Sequence, residues 1–533
     1  MDREIHNGQK VAVIGLGALG LVTLKNLSEE GFDVTGFDGN DYVGGLWRFS
    51  EENKTSVLPT TVTNISKERG CYTDFPFPDE TPSLCPASEV EKYLESYTEH
   101  FKLGPRLRLG TLVTRVTRDE DRQKWVIHIA GRGSEDFDKV VLATGSNRQP
   151  HFPAIKGLES FSGVKIHSQA YKKPEVFKGK NVLVVGFGNT GADTAVSLAG
   201  VANKIYLSHR DGVLILPRTR RGRPVDHSLT ARLLAAQAAM TGLFPKLAEW
   251  LFNKFAQKLQ DSAFIIRPEW RISPAPSLKH SVPVVSDEIV PALEAGTVTS
   301  VPGISQVMGP QEVKFDDGSV AEIDVVILCT GYRADFTLLE ERYDPTRNTT
   351  AQWTAAKGSR GKPLPRLYRN IFSLDHPDSL AFMGCVAFAT PAFQLYDLAS
   401  MALAQVWKGS SLLPPQAEME RAVDRHHAWL CDIAREGNVF PGLVDWTDWM
   451  PWADRTAGTA VDENLGWGWK GWKFWLTNFR FCNLLMTGVY SPHVYRVFDG
   501  KRKKWAGARE EIEKVNRLAS RKREHLISSE GSA

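Results

Sequence analysis

Two glycine clusters carry the first chemistry that can be read from this chain. Gly15, Gly17 and Gly20 fall within KVAVIGLGALG (Lys10 to Gly20), and Gly186, Gly188 and Gly191 within NVLVVGFGNTGAD (Asn181 to Asp193). Each is a short apolar run, then GxGxxG, then a helix-compatible stretch. In that setting the first glycine permits the bend, the second lets backbone approach a pyrophosphate, and the third lets the helix pack on the strand. The helix start then turns unpaired N–H groups and partial positive charge toward the phosphates. One such fingerprint is weak, whereas two in one chain imply two dinucleotides and electron transfer between them. The first cradle is expected over Gly15, Leu16, Gly17, Ala18, Leu19 and Gly20, and the second over Gly186, Gly188, Asn189 and Gly191.

The residues after the next strand in each unit sort the two ligands. Phe32 to Phe37 ends in Asp38, placed to accept hydrogen bonds from a ribose, which leaves FAD or NAD(H) open for the first cradle. Lys204 to Ser208 continues into His209 and Arg210 instead. A carboxylate there would repel a 2′-phosphate, while Arg210 would pair with it, so NADPH is expected rather than NADH. The further run Arg218, Arg220, Arg221 and Arg223 reads as a solvated charge run. Between the fingerprints, Thr61 to Pro78 is too interrupted by polar residues and proline to form a regular element. Such a loop on a rigid scaffold is where chemistry sits. Asn64 within it has a neutral amide that both donates and accepts and stays uncharged across the working pH.

Several stretches match one family in order. Phe161, Gly163, His167 and Tyr171 fit FxGxxxHxxxY; Tyr42 to Phe49 reads YVGGLWRF; Asn64 precedes Ser66, Lys67 and Glu68; Asp74 to Pro78 reads DFPFP; and Thr330 to Tyr332 is TGY. Together these resemble the flavin-containing monooxygenases over nearly the whole chain, Lys10 to Ile512. The resemblance implies FAD in the first cradle, covered by Leu46 and Trp47 beside Gly44 and Gly45 and flanked by Val113. It implies NADPH in the second, touched by Thr190, Gly191, Ala192 and Asp193 and approached by Thr63 and Asn64 from the flavin side. It also makes Asn64 the catalytic residue where flavin, nicotinamide and substrate meet. The reaction implied uses NADPH and O2, passes through a C4a-hydroperoxyflavin and oxygenates a soft nitrogen or sulfur of a small molecule. A Baeyer–Villiger monooxygenase acting on ketones is the nearest competitor; its fingerprint usually ends in Trp-Pro, where this chain has Tyr171 and Lys172. An NADPH-linked disulfide reductase would want a close cysteine pair, and the six cysteines show no CxxC. His167, with no carboxylate or serine motif nearby, reads as a structural histidine of the link between domains.

The elements that must hold these residues follow from length and pattern. At 533 residues two or three domains are expected. The fold class is α/β, a Rossmann-like flavoprotein with two dinucleotide-binding domains, the NADP domain inserted in the FAD domain. The expected division is 1–170 for the first part of the FAD domain, 171–333 for the NADP domain with a helical insertion near 230–260, and 334–533 for the return to the FAD domain and a C-terminal helical segment. A net charge of +3 gives no reason to invoke nucleic acid, and no metal-ligand spacing occurs. The apolar stripe Met240, Leu243, Leu247, Leu251 and Phe255 is expected in a core, with membrane contact or an access-tunnel wall as the alternatives. Trp467 to Tyr490, rich in Trp and Phe and interrupted by Lys470, Lys473 and Arg480, suits a bilayer interface as well as a packed lid. No apolar run is long enough to span a bilayer. The expectation is a cytosolic enzyme acting on a small molecule and O2, with peripheral membrane contact and a homodimer both left open.

Overall fold

The computed structural model describes residues 8–530. The chain enters on β1 (Lys10–Ile14), passes the first glycine turn into α1 (Ala18–Glu29) and returns as β2 (Asp33–Phe37). β3 (Leu107–Arg108) and β4 (Lys139–Leu142) follow, with a three-stranded antiparallel sheet between them. The second unit repeats the plan through β5 (Val164–His167), β6 (Asn181–Val185), α2 (Asn189–Ser197) and β7 (Lys204–Ser208). A helical hairpin comes next, α3 (Ala231–Leu243) and α4 (Pro245–Asp261), then β8 (Val298–Val301) and β9 (Val325–Leu328). The chain then re-enters the first unit with β10 (Leu380–Phe382) and α5 (Ala392–Trp407).

Two five-stranded parallel sheets result, ordered β10-β4-β1-β2-β3 and β8-β7-β6-β9-β5. In each, the strand before the glycine turn lies in the centre, with neighbours on both sides. The crevice beyond its carboxyl end is where such sheets bind ligands. Burial explains why the first unit closes only with the end of the chain. α1 is buried from Ala18 to Leu27, packed between its sheet and α5, so its apolar face wraps nearly the whole helix instead of one stripe.

Three sequence expectations need correction. β5 belongs to the second sheet, so the unit that carries the second fingerprint takes in a strand that precedes residue 171. The stripe on α3 and α4 is outside: Leu243, Leu247, Leu251 and Phe255 are exposed, while α4 turns Ala248, Ala256 and Leu259 inward. Small residues on the hidden face let the hairpin lie close, and the bulky ones are left to the surface. The arginine run also divides, because Arg218 is buried and ion-paired with Glu288 at 2.6 Å, whereas Arg220 and Arg221 are exposed. Among the described residues no helix is long and apolar enough to cross a membrane.

Candidate active site between two dinucleotide cradles

The first cleft measures about 630 Å³ and is lined by Gly15, Gly17, Ala18, Leu19, Asp38, Leu46, Trp47 and Val113. Gly15 sits at φ +101°, and a Cβ there would lie 2.4 Å from the carbonyl oxygen of Ala143, so only glycine makes the turn. Leu16 and Gly20 stand behind the turn, Leu16 fully buried in the core. The Leu16 N–H donates to Asp38 Oδ2 at 2.7 Å, and the Asn40 N–H to Oδ1 at 2.8 Å. Asp38 is thereby fixed at the end of β2, with further lone pairs to offer a ribose. The GGLW stretch closes over the turn: the Gly44 N–H donates to Leu16 O at 3.0 Å, and a Cβ on Gly45 would come within 2.9 Å of Gly17 Cα. Trp47 then packs edge-on against Phe393 at the start of α5.

The second cradle is built alike, with one informative difference. A Cβ at Gly188 would meet no protein atom within 4 Å, so this glycine keeps open a space that the protein itself does not fill. That space lies at the start of α2, where a pyrophosphate would meet the free N–H groups. Thr190 is exposed there, Gly191 and Ala192 are buried, and Asp193 is half-buried. Burial raises the Asp193 carboxyl to about 6, with Arg218 at 3.8 Å pulling the other way. Arg210 is exposed at the end of β7 and makes no ion pair among the described residues.

The loop carrying Asn64 lies between the cradles. The Asn64 Nδ2 donates to Asn189 Oδ1 at 3.2 Å, and the same oxygen accepts the Val285 N–H at 2.9 Å. The Asn64 Oδ1 is buried and has no partner among the described residues. A buried, unpaired amide oxygen costs free energy unless something else uses it. Thr63 is anchored instead, its N–H donating to Cys85 O and its Oγ1 accepting the Cys85 N–H. His167 is a fastener, as expected from its surroundings: Nε2 donates to Gly331 O at 3.0 Å and Nδ1 accepts the Gln169 N–H at 3.1 Å.

The clamp on this loop was not readable in advance. Asp226 Oδ2 accepts from both the N–H and the Oγ of Ser66, at 2.9 and 3.0 Å, and Arg69 donates to the Asp226 carbonyl. Beside it His227 Nε2 donates to Glu68 Oε2 at 3.2 Å. Burial is the largest single influence on Glu68 and works against its charge, but the hydrogen bond and charge of His227, with bonds from backbone and Ser83, together outweigh it and bring the carboxyl down to about 2. An Asp-His pair after an arginine run has no distinctive spacing, and its partners lie some 160 positions upstream. The far end of the loop is held by a buried ionic cluster, in which Asp74 pairs with Lys25 and, at 3.1 Å, with Arg496. Thr73 joins it by donating to Asp397.

Two Rossmann-like sheets, paired glycine cradles and a shared polar loop define a two-dinucleotide flavoprotein oxidoreductase. The family model described as flavin-binding monooxygenase-like matches residues 8–522, and the chain belongs to that family. It is 47% identical to "Monooxygenase aurF" of Gibberella zeae, covering 95% of this chain and 97% of that one. It is 30% identical to "Flavin-containing monooxygenase 3" of Oryctolagus cuniculus, covering 95% and 91%. Among solved structures, S-allyl-L-cysteine S-oxygenase from Allium sativum shares the fold with a TM-score of 0.60 at 22% identity, over 84% of this chain and 88% of that one. The closed form of cyclohexanone monooxygenase does so with a TM-score of 0.61 at 18% identity, over 86% and 99%.

Proposed function

We propose that this monooxygenase takes electrons from NADPH and uses O2 to oxygenate a soft nitrogen or sulfur nucleophile of a small molecule. One observation carries the reading: Asn64 is bonded to the turn of the second cradle while its own buried Oδ1 stays unpaired. A residue so placed has a free acceptor to offer a group bound beside the second cradle.

The first cleft suits FAD, since its glycines leave room for a pyrophosphate and Trp47 and Leu46 give apolar cover. Bound FAD would supply two-electron transfer and the activation of O2. The chain's own tasks are then to bind, to orient and to keep water out. Gly17 and Gly188 would bring backbone to the two pyrophosphates, and Asp38 would accept from a ribose. Arg210 would pair with a 2′-phosphate, which favours NADPH over NADH. Asn64 offers a neutral acceptor and donor, so no acidic proton is delivered beside the reacting oxygen. The ionic cluster around Asp74 and the Asp226 clamp hold the loop still while this happens. The "Flavin-containing monooxygenase 3" relative supports this reaction class, and the cyclohexanone monooxygenases are likenesses of fold alone.

The test is a panel of a thioether, a tertiary amine and a cyclic ketone, each incubated with NADPH and separately with NADH. Oxygenation of thioether or amine with NADPH preferred is expected; turnover of the ketone alone would reject the assignment.

A further inference from the structure

Beside the first cleft lies a second, smaller cavity of about 90 Å³. Thr144, Gly145, Ser146 and Gly384 line both spaces, so the two adjoin. Most of the remaining wall is apolar and comes from late segments of the chain: Phe336, Trp353, Leu364, Leu430, Phe440 and Leu443. Leu430 stands on α6 (Gln416–Glu436), and Trp353 is held by its indole N–H, which donates to Lys362 O at 2.7 Å. A concave apolar pocket with a few polar groups at its edge is the usual form of a small-molecule site.

Here the polar groups are cationic. Lys362 lines the cavity, and its ammonium makes no ion pair among the described residues. Arg333, next in the chain to the lining residue Tyr332, has no carboxylate partner among them either; its Nε–H donates to His151 Nδ1 at 2.9 Å. The acid on the cavity wall, Asp335, is already paired with Arg148 at 3.5 Å. Cations gathered in this way oppose one another's charge. Burial, then Arg360 and Arg333, lower the Lys362 ammonium, and burial followed by Lys362, Arg333 and Arg360 brings the His151 imidazole down to about 4. A bound anion would relieve that repulsion.

We propose that this cavity takes a small aromatic molecule carrying a carboxylate or phenolate, its ring among the apolar side chains and its oxyanion at Lys362 with Arg333 beside it. Walls built from Phe336, Trp353 and Phe440 favour a flat ring over a flexible chain. Arg360 serves elsewhere, since it pairs with Asp211 at 3.8 Å and stands near Arg210, the residue expected to meet NADPH. Calling the occupant the substrate rests on the reaction proposed above, because the cavity adjoins the cleft assigned to FAD. The binding of an aromatic anion does not depend on it.

The test is titration calorimetry of the full-length, FAD-loaded enzyme, without NADPH, against para-methylsulfanylbenzoate and its neutral counterpart para-methylsulfanylbenzyl alcohol. The benzoate should bind about tenfold more tightly or better, the difference expected of one charge-assisted hydrogen bond. Lys362→Met keeps the stem and the backbone carbonyl that holds Trp353, so it should erase that difference while leaving alcohol binding and the melting temperature as in the parent. Lys362→Arg should restore the preference. Ala334→Phe, which fills the cavity from its wall, should weaken both ligands. Equal binding of the two, binding of neither, or a Lys362→Met enzyme that still prefers the benzoate would overturn the proposal. So would a Lys362→Met enzyme that loses affinity for NADPH and not for the benzoate, because the charge would then belong to the second cradle. Adding NADPH and O2 and measuring sulfoxide separates the two readings. Preferred benzoate binding without turnover supports the site and rejects its occupant as substrate, whereas turnover of the alcohol with no preference for the benzoate keeps the reaction and rejects the site.

Discussion

Asn64 and Asn189 are joined side chain to side chain at 3.2 Å, although 125 positions separate them in the chain. The bond ties a loop of the first unit to the first residue of the helix that opens the second cradle. The loop of the first unit is thereby fastened to the second cradle at its helix start, alongside the Ser66–Asp226 and Glu68–His227 bonds.

Asn64→Asp should keep FAD bound while product formation falls about ten- to hundred-fold and hydrogen peroxide release rises. A carboxylate places charge, and at low pH a proton, where the amide offered neither. Product and peroxide measured per NADPH consumed give the answer. Unchanged coupling would remove Asn64 from the reaction.

The Asp226 carboxylate is the receptor for two Ser66 bonds, and Asp226→Ala leaves a buried N–H unpaired. A stability loss of about 1–3 kcal/mol is expected from urea unfolding. Coupling should fall too, because the loop bearing Asn64 loosens. Asp226→Asn keeps an acceptor for Ser66 and should recover most of both, which separates positioning from a simple packing defect.

Gly188→Ala should spare the fold, since the new methyl meets no protein atom. It should nevertheless weaken NADPH binding about tenfold or more by occupying the approach to the pyrophosphate. Equal melting temperatures with a raised Kd would bear this out.

Arg210→Ala should raise the Kd for NADPH about ten- to hundred-fold, the loss expected for charged hydrogen bonds to a phosphate. NADH, which lacks that phosphate, should bind almost as before. Equal losses for both would place the 2′-phosphate elsewhere.

Asp193 predicts a pH effect of defined sign. Its folded value of about 6 lies above the 3.8 of an ordinary aspartate, so the folded state holds more protons between the two. Stability contributed by the protonated carboxyl is full below about 3.8, fades as pH rises, and is gone above about 6. Asp193→Asn should therefore melt about 2 °C above the parent at pH 7.5, with the gap shrinking toward pH 4. The side chain is partly exposed, which keeps the shift small.

Much of this organisation is carried by local pattern. A strand, glycine turn and helix form a contiguous unit whose geometry depends on residues within about twenty positions, so both cradles and Asp38 are readable from order and spacing, whereas the role of the GGLW stretch comes from the family resemblance. The loop at Asn64 could be placed for the same reason: its prolines and polar residues exclude regular structure.

Contacts that join distant segments follow another rule. Asp226 on Ser66, His227 on Glu68 and Arg496 on Asp74 are each ordinary polar residues, and only packing brings them within bonding distance. The same holds for the hairpin at α3 and α4. A helical period shows that one face is apolar, but which face turns inward depends on what lies beneath, and here the small residues Ala248 and Ala256 were chosen over Leu251 and Phe255. Sequence alone determined where the two glycine turns fall, because backbone turns are local. Tertiary structure alone decided how the cradles share a loop and which apolar face meets the outside, because both depend on surfaces contributed by segments hundreds of residues apart.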